Sequence, residues 1–196
     1  MPHVSGTSAL EKNRRYTLEE YRSWPDEERW ELIDGVPYSM SPAPRVPHQD
    51  TAGNLFNRLY NFLEEKPCKV YMAPLDIYLQ NKSAEEEQTV VQPDVLAVCD
   101  LSIIKDDGVY GGPDFIAEVL SDSTANKDFS VKKDLYERSG VKEYWLIQPD
   151  NCTVFQYVRE GSDLLGERFA PIKEFRKGEP VESAVFTGFV WDCSKV

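Results

Sequence analysis

The most constraining feature of the sequence is a pair of short apolar segments that each carry an acidic residue. Residues 113–122 read PDFIAEVLSD, and residues 91–100 read VQPDVLAVCD. Apolar runs of this length predict buried strands of a sheet, yet Asp94 opens one of them and Glu118 lies inside the other. A buried carboxylate is costly unless a partner compensates its charge. We predict that this partner is a divalent metal ion.

Length and composition restrict the class of protein. The 196 residues, of which 41% are hydrophobic, suit one globular domain with a core of its own. We predict a flexible tail over residues 1–14 and a single domain over residues 15–196. No apolar run approaches the roughly 18 residues of a membrane span, and the N-terminal residues lack the apolar region of a secretory signal. We therefore expect a cytoplasmic protein with no membrane partner.

The cysteine pattern argues against a zinc site or a disulfide framework. No CxxC motif and no Cys/His pair occurs in the sequence. The four cysteines are Cys68, Cys99, Cys152 and Cys193. We expect them to be reduced thiols with a structural role, as is usual in the cytoplasm.

The net charge makes nucleic acid an unusual partner. The chain has 22 Lys and Arg residues against 34 Asp and Glu residues, which gives a formal net charge of −12. Proteins that hold nucleic acid usually present a basic face, so a substrate with phosphate groups requires a local basic patch. Net charge bears on solubility and non-specific association, and it does not exclude binding in one cleft.

Local patterns predict alternating helices and strands. Thr17 and Glu20 form a capping-box pattern that predicts a short helix, and the Asp34-Gly35 pair predicts a hairpin turn. Apolar residues at spacings of three and four predict a helix over residues 48–65. Further predicted elements are strands over residues 69–79, 92–98, 114–120 and 143–148, a helix over residues 124–139, and antiparallel hairpins after residue 150. The strand–helix–strand unit predicts a crossover between parallel strands, and the fold class is mixed α/β (α+β) with a central mixed sheet flanked by helices.

Asp94 and Glu118 are candidate ligands of one metal ion. Adjacent strands of a sheet lie only about 5 Å apart, so carboxylates at matching ends of two neighbouring strands can share a cation. Magnesium prefers oxygen ligands and is commonly held by one or two carboxylates together with substrate phosphate. This arrangement is typical of metal-assisted cleavage of phosphodiester bonds.

Lys132 is the candidate cationic residue of the same site. Asp128, Lys132 and Tyr136 are spaced four apart in the predicted helix and therefore lie along one face. A lysine on the inner face could reach the two carboxylates and offset negative charge on a phosphate. Two alternatives remain open at this point: a surface ion pair between Asp128 and Lys132, and Lys133 in place of Lys132.

These residues resemble a known pattern of nucleases. A Pro-Asp pair followed by an acid in an apolar strand is similar to the PD-(D/E)XK nuclease superfamily, although Leu120 stands where that pattern has a lysine. A wider set of segments resembles the Uma-two family of restriction-type endonucleases from about Tyr16 to the C-terminus: RWELIDG, SPAPRVPHQ, QPDVLAV, PDFIAEVLSDST and SGVKEYWLI. In that family the active-site lysine is thought to come from the following helix.

The resemblance implies a restriction-endonuclease-like fold and a magnesium-dependent endonuclease acting on DNA. Asp94 and Glu118 would bind Mg²⁺, with Mn²⁺ as the alternative, and Lys132 would complete the catalytic site. Glu31 and His48 match further family positions and join the candidate catalytic residues. Without the resemblance, Glu31 is better explained as the polar side of an alternating strand, and His48 could equally be a site residue or the cap of the helix that begins there. By analogy with enzymes that cut both strands, we expect a homodimer.

Other interpretations stay open. The charge of −12 favours a catalytically degenerate family member that acts as a nucleic-acid or protein binding module, and a hydrolase of smaller phosphate esters is a third reading. Gln92 and Ser121 are candidates for contacts that support the carboxylates. Tyr144 and Trp145 could stack on bases but fit a core strand better. Scattered arginines near the N-terminus could touch a DNA backbone but are more simply solvated charges: Arg14, Arg15 and Arg22.

Overall fold

The computed structural model describes residues 14–25, 28–40, 43–80, 88–121, 125–161 and 168–196. Apart from Arg14, the predicted tail over residues 1–14 lies outside the described residues. The division into a tail and one domain therefore stays a prediction.

Fifteen short strands and a few helices make up the described part of the chain. The helices are α1 (Leu18–Arg22), α2 (Val46–Leu63), α3 (Ala125–Lys127), a π-helical turn (Asp128–Lys132) and α4 (Lys133–Arg138), with 3₁₀ turns at Leu101–Ile103 and Cys193–Lys195. The strands are β1 (Trp30–Ile33), β2 (Val36–Ser39), β3 (Lys69–Met72), β4 (Ile77–Gln80), β5 (Gln88–Val91), β6 (Val95–Val98), β7 (Ile104–Lys105), β8 (Gly108–Tyr110), β9 (Phe115–Val119), β10 (Glu143–Gln148), β11 (Thr153–Glu160), β12 (Arg168–Phe169), β13 (Lys173–Phe175), β14 (Val181–Glu182) and β15 (Val190–Trp191). Within these residues, no helix combines the length and apolar character needed to cross a membrane.

The N-terminal elements form as their local sequence predicts. The Thr17 side chain accepts a hydrogen bond from the Glu20 amide, and the Glu20 carboxylate accepts one from the Thr17 amide, so α1 begins with a capping box. Strands β1 and β2 are joined by Asp34 and Gly35, which have φ angles of 50° and 77°. Positive φ at both turn residues is the conformation that an Asp-Gly pair favours in a tight hairpin.

The main sheet contains seven strands in the order β12-β11-β10-β9-β6-β3, with β13 also paired to β11. Strands β9 and β10 run parallel, as the crossover rule predicts, while the pairs β6–β9, β3–β6 and β10–β11 are antiparallel. The predicted mixed sheet is therefore present.

A second sheet of six strands, in the order β2-β1-β5-β4-β8-β7, was not predicted. The predicted single strand over residues 69–79 is divided by the cis Ala73-Pro74 bond into β3 of the main sheet and β4 of the second. Proline has no amide hydrogen and cannot continue a ladder. The predicted strand over residues 92–98 begins only at Val95, and β5, β7 and β8 lie where no strand was predicted. Strand β5 pairs with β1, and β8 pairs with β4, across long stretches of sequence, which leaves little local signal. Strands β7 and β8 form a local hairpin that the sequence interpretation missed.

Alternating residues of the main sheet point to two different layers. Val95, Ala97, Phe115, Ala117 and Val119 pack on one face with the apolar stripe of α2. On the opposite face, Ile116 and Leu120 pack with Leu135 and Tyr136 of α4 and with residues of the second sheet. Since side chains alternate along a strand, Glu118 points to this second face.

The thiol prediction is wrong for two of the four cysteines. Cys68 precedes β3 and Cys99 follows β6, and the register pairs Lys69 with Val98. The two cysteines therefore stand opposite each other, and they form a disulfide. Cys152 and Cys193 are free thiols. The sequence separation of 31 residues concealed a contact that only the strand pairing creates.

Candidate active site

Glu118 lies at the centre of the candidate site. Strand β9 places its side chain under the helical segment 125–138, where only 5% of the residue is exposed. Its Oε1 atom accepts hydrogen bonds from Lys132 Nζ and from the Tyr136 hydroxyl, both at 2.7 Å. Two donors one helical turn apart thus hold one buried carboxylate.

Lys132 connects Glu118 to two further acids. Its Nζ atom lies 2.7 Å from Glu31 Oε1 and 3.9 Å from Asp128 Oδ1. Lys132 and Asp128 are both buried, so the alternative of a surface ion pair is wrong. Lys133 turns away and pairs with Asp134 at 3.1 Å and with Glu137. Of the two candidate lysines, Lys132 is the one that reaches the carboxylates.

The π-helical turn at Asp128–Lys132 aligns these side chains. An α-helix turns 100° per residue, so each spacing of four overshoots a full turn by about 40°. A π turn is wider and rotates less per residue, which reverses part of that drift between Asp128 and Lys132. Asp128, Lys132 and Tyr136 therefore remain on one face, as their spacing predicted.

Glu31 lies on β1, next to the main sheet, and is fully buried. Its Oε1 atom also accepts a hydrogen bond from the Gln92 amide at 3.1 Å. Its Oε2 atom accepts a hydrogen bond from Lys127 Nζ at 2.7 Å. A polar, outward side of a strand is thus the wrong description of Glu31.

Lys127 is a site residue that the sequence interpretation missed. It lies five residues before Lys132, a spacing that does not share a face in an α-helix but does in a π turn. Both ammonium groups bind the same carboxylate, one at each oxygen. No sequence pattern predicts a π turn. The only signal that could have identified Lys127 is its position next to Asp128 in the sequence.

Asp94 stands beside Glu118 at the end of β6. The register pairs Val95 with Ala117, so the next pair along the ladder is Asp94 with Glu118. Asp94 Oδ2 accepts a hydrogen bond from the Val119 amide at 2.8 Å and lies 3.2 Å from His48 Nε2. His48 lies in the first turn of α2, but the N-cap residue is Arg45, so His48 is not the cap.

A cleft of about 910 Å³ opens over these residues. Its walls include all five predicted site residues, together with Gln92, Ser121 and Lys127. Gln92 donates a hydrogen bond to Asp76 Oδ1 at 2.8 Å and accepts one from Arg29 at 2.8 Å. Tyr144 and Trp145 are fully buried in the core and cannot stack on bases. None of the three N-terminal arginines lines the cleft.

The charges of the site do not balance. Four carboxyl groups, those of Glu31, Asp94, Glu118 and Asp128, face the two ammonium groups of Lys127 and Lys132. Burial raises the pKa of Glu118 to about 8; Lys132 opposes this shift, and the nearby carboxylates add to it. Burial, reinforced by the surplus of acids, thus favours the protonated form of Glu118.

The pKa values of the other site residues shift in the directions that their charged partners favour. Burial alone would raise the pKa of Glu31, but Lys132 and Lys127 lower it below its ordinary value. Burial alone would lower the pKa of Lys132, but Glu118, Glu31 and Asp128 raise it well above its ordinary value. Burial likewise disfavours charged His48, but Asp94 raises its pKa.

The donor set fits a hard divalent cation. The hydrogen bonds described above fall on Oδ2 of Asp94 and Oε1 of Glu118, one oxygen of each carboxylate. With all four carboxyl groups ionised, the two ammonium groups leave two negative charges uncompensated, and a divalent ion would balance them. Among the residues with described structure, no cluster of three or more His, Cys, Asp or Glu side chains could hold a metal alone. Two carboxylates completed by water and substrate oxygen suit Mg²⁺.

Comparisons with known proteins bear on the fold and the family. The sequence profile of the family "Uma2: Putative restriction endonuclease" matches residues 18–193. The crystal structure of "a putative nuclease belonging to DUF820" from Anabaena variabilis matches with a TM-score of 0.70 and 18% sequence identity, over 90% of this chain and 94% of that chain. Curated proteins give no match. At this identity the structural neighbour supports the mixed α/β fold.

Proposed function

The chain belongs to the Uma2 family, as its sequence resemblance indicated, and on this premise we propose that it is a metal-dependent endonuclease that hydrolyses phosphodiester bonds of DNA. The observation that carries the proposal is the position of Lys132, held at 2.7 Å from both Glu118 and Glu31 in the wall of a cleft, next to Asp94. Two carboxylates can hold a metal ion, and a lysine beside them can offset negative charge on a phosphate, which supports metal-assisted hydrolysis of a phosphodiester.

Asp94 and Glu118 would hold the metal ion in this proposal. Mg²⁺ is our first choice, and Mn²⁺ is an alternative because carboxylate and water ligands suit both. When bound, the ion acts as a Lewis acid that polarises the phosphoryl group. Glu118 must lose its proton to bind the ion, since its pKa is raised to about 8 in the protein alone.

The remaining residues position charge. Burial lowers the pKa of Lys132, but Glu118, Glu31 and Asp128 raise it well above its ordinary value, which favours the ammonium form. Its ammonium group offsets the negative charge that develops on the phosphate. Glu31 holds Lys132 and Lys127 through its two oxygens. His48 supports Asp94 through Oδ2 and keeps that carboxylate oriented toward the cleft.

The setting of the reaction is part of the proposal. We place the enzyme in the cytoplasm, where DNA is accessible, and we expect a homodimer by analogy with enzymes that cut both strands. The Cys68–Cys99 disulfide is unusual for that compartment, where thiols are kept reduced. The cytoplasmic placement is tested by alkylating freshly lysed cells and titrating the free thiols of this protein.

The test of the function is cleavage of supercoiled plasmid DNA with Mg²⁺ or Mn²⁺. Glu118→Gln should abolish cleavage, because a neutral amide is a poor metal ligand. Glu137→Gln is the matched control: this acid pairs with Lys133 outside the cleft, and its loss should leave cleavage unchanged. Equal cleavage by the parent and the Glu118→Gln variant would contradict the proposal.

A second candidate function follows from the net charge of −12, which is unfavourable for a DNA-binding enzyme. In this reading the chain is a catalytically degenerate family member that acts as a nucleic-acid or protein binding module, and the negative charge favours the protein partner of these two. Folded protein that neither binds Mn²⁺ nor cleaves DNA would favour it.

A further inference from the structure

Lys127 occupies the more open part of the candidate site. It ends α3, and its side chain is 15% exposed, whereas that of Lys132 is 3% exposed. Both side chains line the cleft. Of the two ammonium groups that share Glu31, the one on Lys127 is therefore the more accessible to a ligand in the cleft.

The two lysines also differ in how their donors are used. An ammonium group has three N–H donors. Lys132 places two of them on Glu118 and Glu31 at 2.7 Å, with Asp128 at 3.9 Å. Within the described part of the chain, Lys127 has one such carboxylate contact, to Glu31, and a distant approach to the Tyr38 ring at 5.5 Å. Lys127 thus retains donors that can bind another oxygen.

We propose that Lys127 is a substrate-binding residue whose ammonium group contacts a phosphate of the DNA backbone in the cleft. The proposal rests on the proposed function. Glu31 binds Lys127 through one carboxylate oxygen and Lys132 through the other. In this arrangement Lys127 faces the DNA backbone, while Lys132 stays with the carboxylates. Lys132 compensates charge inside the site, and Lys127 binds phosphate at its edge.

The electrostatics of the cleft give this contact its importance. Four acidic side chains lie at the site, and the whole chain has a net charge of −12, so an approaching phosphate is repelled. Arg29 and Arg45 also line the cleft, but both are exposed, and exposed charges are screened by salt. Lys127 is the partly buried cation among the three and is screened less.

The experiment measures DNA binding as a function of salt. A labelled DNA duplex is titrated with the full chain in the presence of a chelator, so that no cleavage occurs, for the parent and for Lys127→Met, Lys127→Arg and Lys133→Met. Each phosphate contact contributes about 0.9 to the slope of log affinity against log salt for duplex DNA. Between about 50 and 200 mM salt, the parent should therefore lose about 3.5-fold more affinity than Lys127→Met.

Three results support the proposal together: the smaller slope of Lys127→Met, a parental slope in Lys127→Arg, and a parental slope in Lys133→Met. A structural role alone would lower affinity without changing the slope. A parental slope in Lys127→Met, or no binding of the duplex by the parent, overturns the proposal. Cleavage of plasmid DNA with Mg²⁺ is measured on the same preparations. The salt dependence tests the role of Lys127 and the cleavage tests the nuclease function, so failure of one proposal is distinguished from failure of the other.

Discussion

The raised pKa of Glu118 predicts that metal affinity depends steeply on pH. With a folded-state pKa of about 8, the carboxyl group is protonated at neutral pH, and metal binding must release that proton. The affinity for Mn²⁺ should therefore rise with pH and level off above about pH 8. Relative to this plateau, affinity should be about 11-fold lower at pH 7 and about 100-fold lower at pH 6.

The assay is calorimetric titration with Mn²⁺ in buffers of different ionisation enthalpy. At pH 7 the binding of one ion should release about 0.9 protons, and at pH 9 only about 0.1. His48 also titrates, because Asp94 raises its pKa. The measurement is therefore repeated with His48→Gln, which should retain the part of the pH dependence that belongs to Glu118. Glu118→Gln removes the titrating group, and its residual affinity should not follow this curve.

Two results would refute the reasoning. One is a parental affinity that stays constant between about pH 6 and pH 9. The other is the same pH dependence in Glu118→Gln as in the parent. The stability of the metal-free protein independently checks the direction of the pKa shift of Glu118. Because the folded-state pKa lies above the ordinary value of 4.5, stability should fall as the pH rises from there toward 8.

Two further predictions concern stability. Lys132→Met leaves buried carboxylates without their partner and should lower the free energy of unfolding in urea by about 3 to 5 kcal/mol. Lys133→Met breaks only partly exposed pairs and should lower it by about 1 kcal/mol or less. Equal losses of stability in the two variants would contradict the assignment of Lys132 to the site. Reduction of the Cys68–Cys99 disulfide, whose cysteines are 31 residues apart, should cost about 3 to 4 kcal/mol through the entropy of the unfolded chain. Unfolding curves with and without reductant check this, and identical curves, with the thiols shown to be reduced, would count against the bond.

Local sequence determined the elements whose signals lie within a few residues. The capping box of Thr17 and Glu20, the Asp34-Gly35 turn and the apolar stripe of α2 each depend on near neighbours, and each element is present. The parallel pairing of β9 and β10 followed from the crossover rule. The acids in the two apolar strands drew attention to Asp94 and Glu118, because burial of a carboxylate is costly wherever it occurs.

Only the tertiary structure decided which groups meet. Glu31 and Lys127 are separated by 96 residues, and Cys68 and Cys99 by 31, so no local pattern could pair them. The π turn puts Lys127 and Lys132 on the same carboxylate, and no local sequence pattern predicts it. Helix and strand periods act over a few residues and can be read from the sequence. Charge compensation in a buried site depends on distances between distant segments, and these exist only once the sheets have formed.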